Sequence, residues 1–333
     1  MQKKERIYQL DYLKGIFVLL MLVFHNSVIK DGGLPIAQAI YTFDIPGFMI
    51  ISGYLTSIEK EAAAFGKGMM KWIVPYVIFE STYVVMIFYL GKIMKTSNEI
   101  ASLSPSVMID KVLLNPSGTY WYLHTLIICA VTYYLAYHLL KLKDMSGLAI
   151  LGAWLFALSL LIKGFEMRNA MYFLIGVFIK TNGKSFLDTV KPSAFAAVPL
   201  CVLFLFPDNF DRGTLAGIAI TILVISFLLF LYEFCPRKAK ALLIYVGQNS
   251  LAIVVFSPIF TAICAKFIPY FDFDPTHLLF ASVALVLTAS GCLFCAWTCD
   301  QLGVSRFLFL KKRFYVGYKN GNDKSLFDQE SAS

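Results

Sequence analysis

Residues 213–232 read GTLAGIAITILVISFLLFLY. Twenty positions pass without a charged side chain, and apolar residues occupy every face of a helix rather than one stripe. At 1.5 Å per residue such a helix spans about 30 Å, the thickness of a bilayer's hydrocarbon core. A barrel strand would instead alternate apolar and polar residues over about ten positions. Runs like this recur along nearly the whole chain, in which 58% of 333 residues are hydrophobic and 15% charged, with a mean hydropathy of +0.69. The reading is an all-α, polytopic membrane protein with about ten transmembrane helices, centred near residues 20, 46, 82, 130, 154, 174, 199, 223, 255 and 290. No soluble domain of ordinary size fits between them and no repeat is visible. One membrane-embedded module over residues 1–310 is expected, followed by a basic, polar cytoplasmic tail over 311–333.

Charge sets the orientation. With the N-terminus on the cytoplasmic side, 21 of the 29 Lys and Arg residues fall on inner segments and eight on outer ones, so both termini are expected in the cytoplasm. The net charge of +8 then reflects topology and gives no reason to expect nucleic acid. The first span follows a basic stretch without a small-residue cleavage site and reads as a retained signal anchor. Cys292, Cys295 and Cys299 share a helical face, a spacing open to a metal or an acyl relay, but small buried hydrophobes are the commoner case and no metal is assigned. The longest outer connection contains SVMIDKVLLN, residues 106–115, which suits a short helix on the membrane surface or over a cavity.

The first span, LDYLKGIFVLLMLVFHNSVI over residues 10–29, carries the chemistry that most needs explaining. Lys14 and His25 are eleven residues apart, about 1100° of helical rotation, so they leave one face about 16 Å apart. Intramembrane ionisable groups are costly and usually functional. Asp11 lies one turn before Lys14 on the same stripe, and Gly15 leaves space beside it. The plainer alternative has Lys14 anchored in lipid headgroups and His25 bonded to a neighbouring span.

Further motifs follow in order: FDIPGFMIISGYL at 43–55, KGMMKWIVPY at 67–76, TYWYLHTL at 119–126 and RNAMYFLIGVFIK at 168–180. Together with LDYLKGIFVLLMLVFH, this series resembles the acyltransferase-3 family of bacterial membrane O-acyltransferases over most of the chain. The resemblance implies an acyl-CoA donor on the cytoplasmic side, acetyl-CoA being the expected one. It also implies a glycan or glycolipid acceptor at the outer face, and a multi-pass location in the bacterial cytoplasmic (inner) membrane among its lipids. On that basis Lys14, Lys67 and Lys71 are candidates to hold the donor's phosphates. His25 is the candidate general base that takes the acceptor hydroxyl's proton. Asp44 is its candidate partner, at a position where the family often has His. Ser52 and Gly53 admit close approach either of a helix or of the donor's pantetheine arm.

Glu80, near mid-membrane, is open to an ion pair, a hydrogen bond or a place in the pore. Arg168 either binds an anionic group of the substrate or pairs with Glu166, and Trp121 and Tyr122 either stack on a sugar ring or belong to an aromatic belt. YVGQNSLAIVVFSPIF, residues 245–260, resembles the family's ninth span but has Phe256, Ser257 and Pro258 where a histidine often follows an aromatic. No extracytoplasmic domain of the kind fused to some relatives is expected after the tenth span. The expectation is therefore an O-acetyltransferase modifying a cell-surface polysaccharide or its lipid-linked precursor. A transporter or flippase of a glycolipid or small anionic solute is the alternative, since the architecture suits one equally well.

Overall fold

Among the described residues every regular element is helical. A computed structural model describes residues 6–24, 35–92, 100, 102–140, 145–183, 185–274 and 276–319, and His25 lies outside the described residues. The main helices are α1 (Tyr8–Phe24), α2 (Asp44–Leu55), α3 (Ala62–Gly91), α4 (Tyr120–Leu140), α5 (Met145–Leu161) and α6 (Met167–Thr181). They continue with α7 (Ala197–Phe204), α8 (Leu215–Phe234), α9 (Arg237–Gln248), α10 (Ser250–Ala265) and α11 (Leu278–Gln301).

A helix covers each of the ten centres expected from the sequence, but among the described residues length and apolarity suffice for crossing a membrane only in α3, α4, α8 and α11. A fifth crossing results if α9 and α10, bent by 77° at Asn249, form one broken span. Helix α2, with 12 residues, rises only about 18 Å. The outward faces are apolar: 28% of the most hydrophobic stretch of α11 is buried, and Val286 and Phe294 point away from the bundle. Lipid, not water, is the solvent such a face requires.

Two close helix crossings fix the frame. A Cβ on Gly15 would overlap the carbonyl of Leu243, and one on Gly247 the carbonyl of Asp11, so α1 and α9 meet backbone to backbone. The space expected beside Gly15 is therefore filled by α9. Gly53 and Gly176 make the same kind of crossing between α2 and α6, against the carbonyls of Phe173 and Ile50.

The chain before α2 departs from a continuous second span. A short helix, Pro35–Tyr41, ends at Thr42, whose hydroxyl donates to the carbonyls of Gln38 and Phe210, both at 2.9 Å. The chain restarts as a helix at Asp44, which thus sits in a first turn, where an acidic residue suits the helix dipole. Helix α3 likewise begins earlier than the Pro75–Tyr76 pair suggests, at Ala62, so Lys67 and Lys71 share one helical face four residues apart.

The 106–115 segment forms a short helix, Pro105–Ile109, followed by a π turn, Asp110–Leu114. It is tied into the bundle through its carbonyls. Val112 accepts from Tyr76 Oη at 2.6 Å, Leu113 lies 2.9 Å from His124 Nε2, and Leu114 accepts from Gly164 N at 2.6 Å.

Candidate active site

At the end of the bundle where α4 and α6 begin, a cavity of about 640 Å³ opens. Its walls include Trp121, Lys163, Glu166, Arg168, Asn169 and Arg212. Glu166, just before α6, is its electrostatic centre. Arg168 binds it with Nε at 2.7 Å and a terminal nitrogen at 2.8 Å, Asn169 Nδ2 donates at 3.1 Å, and Arg212 stands at 3.6 Å. The hydrogen-bonded Arg168 guanidinium holds the Glu166 carboxyl below the ordinary carboxylate range despite partial burial. Burial lowers Arg212, with repulsion from Arg168 adding to it and Glu166 offsetting it. The Arg212 guanidinium also lies over the Trp121 ring, 5.5 Å from its centroid, and Tyr172 Oη donates to the Arg212 carbonyl at 2.6 Å. Asn169 is 2% exposed and its Oδ1 has no hydrogen-bond partner among the described residues.

Beneath this cavity, and sharing Ile45 with it, is a void of about 10 Å³ lined by Phe17, Met21, Asp44, Phe48, Tyr122 and Val254. Asp44 is fully buried: Oδ1 accepts from Ile45 N at 2.6 Å, while Oδ2 has no partner among the described residues. A lone buried carboxylate oxygen is expensive and marks a position to be explained by function. Tyr122 Oη lies 3.1 Å from Ser52 Oγ, so Asp44, Tyr122 and Ser52 form one neighbourhood. Gly53 is committed to the crossing with α6.

Glu80 lines neither space. It is fully buried and accepts from Ser117 N at 2.7 Å, which fixes the loop whose Asn115 and Pro116 wall the larger cavity.

The opposite end carries the lysines. Lys14 Nζ is 2.6 Å from Asp11 Oδ1, and Arg6 Nε is 2.5 Å from Asp11 Oδ2, with Gln248 Nε2 at 3.5 Å. Asp11 therefore orients Lys14 and spends part of its charge. Lys67 is exposed and Lys71 half-buried, and neither has an ion-pair partner among the described residues. A flexible cationic end of this kind suits phosphate groups, which lysine meets as a point charge.

The family model for the acyltransferase domain of the acyltransferase-3 type matches residues 7–297. The chain belongs to the acyltransferase-3 family. The match takes in Asp11, Lys14, both glycine crossings and the whole charged cavity, and it ends within α11. Comparison with curated proteins and with solved structures gives no match. Family membership and the apolar helices make this acyltransferase-family chain a membrane protein.

Sequence reasoning placed Arg168 and Trp121 at this end but missed Arg212, Asn169 and Lys163. Arg212 sits in the short Asp211–Gly213 turn before the Thr214 cap of α8, where Asp211 Oδ1 accepts from Gly213 N at 2.8 Å. A charged pair in a tight turn between apolar spans was the available signal.

Proposed function

We propose that this protein is a membrane O-acyltransferase that moves an acetyl group from cytoplasmic acetyl-CoA to a hydroxyl of a cell-surface polysaccharide or lipid-linked glycan. In this reading both termini and the lysine end face the cytoplasm of a bacterial inner membrane, and the chain crosses about ten times, the shorter helices included. Lys14, Lys67 and Lys71 hold the donor's phosphates. The glycan enters the 640 Å³ cavity, where Trp121 and Arg168 contact it and Glu80 keeps the cavity wall in place.

The observation that carries the reading is the position of Asp44, buried directly beneath the charged cavity with a carboxylate oxygen that has no partner among the described residues. Met21, four residues before His25 in the sequence, lines the same void. His25 takes the proton of the acceptor hydroxyl as its oxygen attacks the thioester carbonyl. Asp44 orients the imidazole and stabilises its charge. The carbon–sulfur bond breaks, and coenzyme A leaves as a thiolate that takes up a proton. Tyr122 and Ser52 hold the wall along which the acyl arm approaches.

Proteoliposomes of known orientation test this. Acetyl-CoA on the lysine side should acylate a glycan acceptor confined to the opposite side, releasing coenzyme A where it was added. His25→Ala and Asp44→Asn should each lower the rate at least about a hundredfold at unchanged expression. Acylation that needs both substrates on one face refutes the two-sided mechanism. The transporter reading draws on the broken α9–α10 span and requires the glycan to cross unmodified without donor.

A further inference from the structure

Three cations and two carboxylates share the wall of the 640 Å³ cavity: Lys163, Arg168 and Arg212 against Glu166 and Asp211. The way their hydrogen bonds are spent divides them. Arg168 is committed to Glu166 through two nitrogens, at 2.7 and 2.8 Å, and Asp211 takes the N–H of Gly213 at 2.8 Å within its own turn. Arg212 approaches Glu166 only to 3.6 Å, an ion-pair distance too long for a hydrogen bond, and its guanidinium makes no hydrogen bond among the described residues. Lys163, whose side chain is exposed, makes no ion pair among the described residues.

Both cations stand on fixed backbone. The Arg212 carbonyl accepts from Tyr172 Oη at 2.6 Å, and its turn packs on the start of α8, where a Cβ on Gly217 would overlap the Asp211 carbonyl. The Trp121 ring, its centroid 5.5 Å from the guanidinium carbon, supports the group from one side. Lys163 lies in the turn between α5 and α6. Gly164 N donates to the Leu114 carbonyl at 2.6 Å, and a Cβ on Gly164 would overlap Pro116, so this turn is locked to the loop that walls the same cavity.

A guanidinium held in place, with its N–H donors not spent on the protein, offers a fork that matches two oxygens of a carboxylate or phosphate, and a lysine in the same wall adds a point charge. We infer that the acceptor is an acidic glycan, and that Arg212, assisted by Lys163, seats its oxyanion and selects it over neutral sugars. Arg168 keeps Glu166 in place, its own charge already committed. Ile45, the neighbour of Asp44, walls the same cavity, so a sugar whose acid group sits on Arg212 carries its hydroxyls into the space above Asp44. This rests on the proposed reading of the cavity as the acceptor's, and names the acceptor's chemistry.

The test measures binding to the full chain in detergent micelles, without donor, by calorimetry. The probes are three methyl glycosides that differ only at carbon 6: a glucoside with its hydroxyl, a glucuronoside with a carboxylate, and the glucoside 6-phosphate. At least one acid should bind about tenfold tighter than the neutral sugar, with the gap narrowing as salt is raised, and the tighter of the two tells a carboxylate from a phosphate. Arg212→Gln should close the gap to within about twofold while leaving the affinity for the neutral sugar unchanged, which a merely structural role would not do. Arg212→Lys should keep part of the gap, as charge without the fork, and Lys163→Gln should narrow it by about threefold. Equal binding of acid and neutral sugars, no binding of any of the three, or a loss of acid and neutral affinity together in Arg212→Gln each overturns the inference. Acyl transfer, assayed in parallel in proteoliposomes, separates this inference from the reading beneath it. Transfer to neutral glycans at the same kcat/KM as to acidic ones overturns the acidic preference and leaves the acyltransferase reading standing. Charge-selective, Arg212-dependent binding without any transfer supports the acid site and counts against that reading instead.

Discussion

Replacing Gly247 by Ala is expected to separate the two helices on which the lysine end is built. In an unobstructed helix the change stabilises by about 0.5–1 kcal/mol, because glycine loses more backbone freedom on folding. At Gly247 the new methyl overlaps the backbone carbonyl of Asp11, which cannot rotate away as a flexible side chain would, so α1 and α9 must part by about an ångström or more. Overpacking of this kind costs about 1–3 kcal/mol, leaving a net loss of up to about 2.5 kcal/mol. Gly66 in α3 supplies the matched control, with no atom within 4 Å of its Cβ position, and Gly66→Ala should gain the full propensity term. The pair should thus move in opposite directions in reversible unfolding of the detergent-solubilised protein, separated by about 2 kcal/mol. Because Asp11 also holds Lys14, Gly247→Ala should raise the KM for donor as well. If Gly247→Ala is as stable as Gly66→Ala, the backbone contact is wrong and the argument for a rigid α1–α9 frame goes with it.

Other expectations follow from the cavity. Glu80→Leu leaves the buried Ser117 N–H unpaired and should cost about 1–3 kcal/mol, whereas Glu80→Gln keeps an acceptor oxygen and should lose much less; thermal unfolding of the two variants decides. Arg212→Gln should raise the KM for acceptor with that for donor unchanged, measured by varying each substrate in turn. Glu166 titrates below its ordinary value of 4.5, so the stability its pairs confer is fully present above that pH and is lost as pH falls through the lower folded value. Acceptor binding, a property of the folded protein, should therefore be flat from pH 7 down to about 4.5 and weaken only as pH falls through that lower folded value, and Glu166→Gln should abolish that acid limb.

What was legible in the sequence was whatever depends on local periodicity. Uniform apolar runs gave a helix at every expected centre, and the eleven-residue spacing singled out Lys14, whose partner Asp11 is one turn away. Features set by distant residues were not legible. The break before Asp44 depends on Thr42 meeting Phe210, 168 residues on, and nothing in FDIPGFMIISGYL announces it. Gly15 was visible as a small residue, but whether its face meets a ligand or a helix is decided by Leu243 and Gly247. Arg212 looked like one more basic loop residue until the fold brought it to Glu166 and Trp121. The composition of the C-terminal stretch suggested a solvated tail, while Asn249 and Asp300 fasten its first residues to the bundle.

The void around Asp44 constrains the proposed mechanism further. At about 10 Å³ it sits at the lower limit for a single water, so an acyl arm cannot occupy it with the side chains as they stand. What closes it is light. Phe48 and Tyr122 meet edge to face at 5.5 Å, Tyr122 is tied to Ser52 by one hydrogen bond, and Met21 contributes an unbranched, adaptable side chain. Parting these contacts costs about 0.5–1.5 kcal/mol for the ring pair and a similar amount for the hydrogen bond. The glycine crossings, by contrast, have no slack. Opening therefore belongs to side chains between a rigid frame and a rigid cavity wall, at a cost of a few kcal/mol that donor binding can supply. The proposed mechanism then has a closed resting state: water would be kept from the thioester until the charged head of the proposed donor is seated, while the charged cavity stays preformed by Glu166, Arg168 and Arg212 whether or not the passage is open.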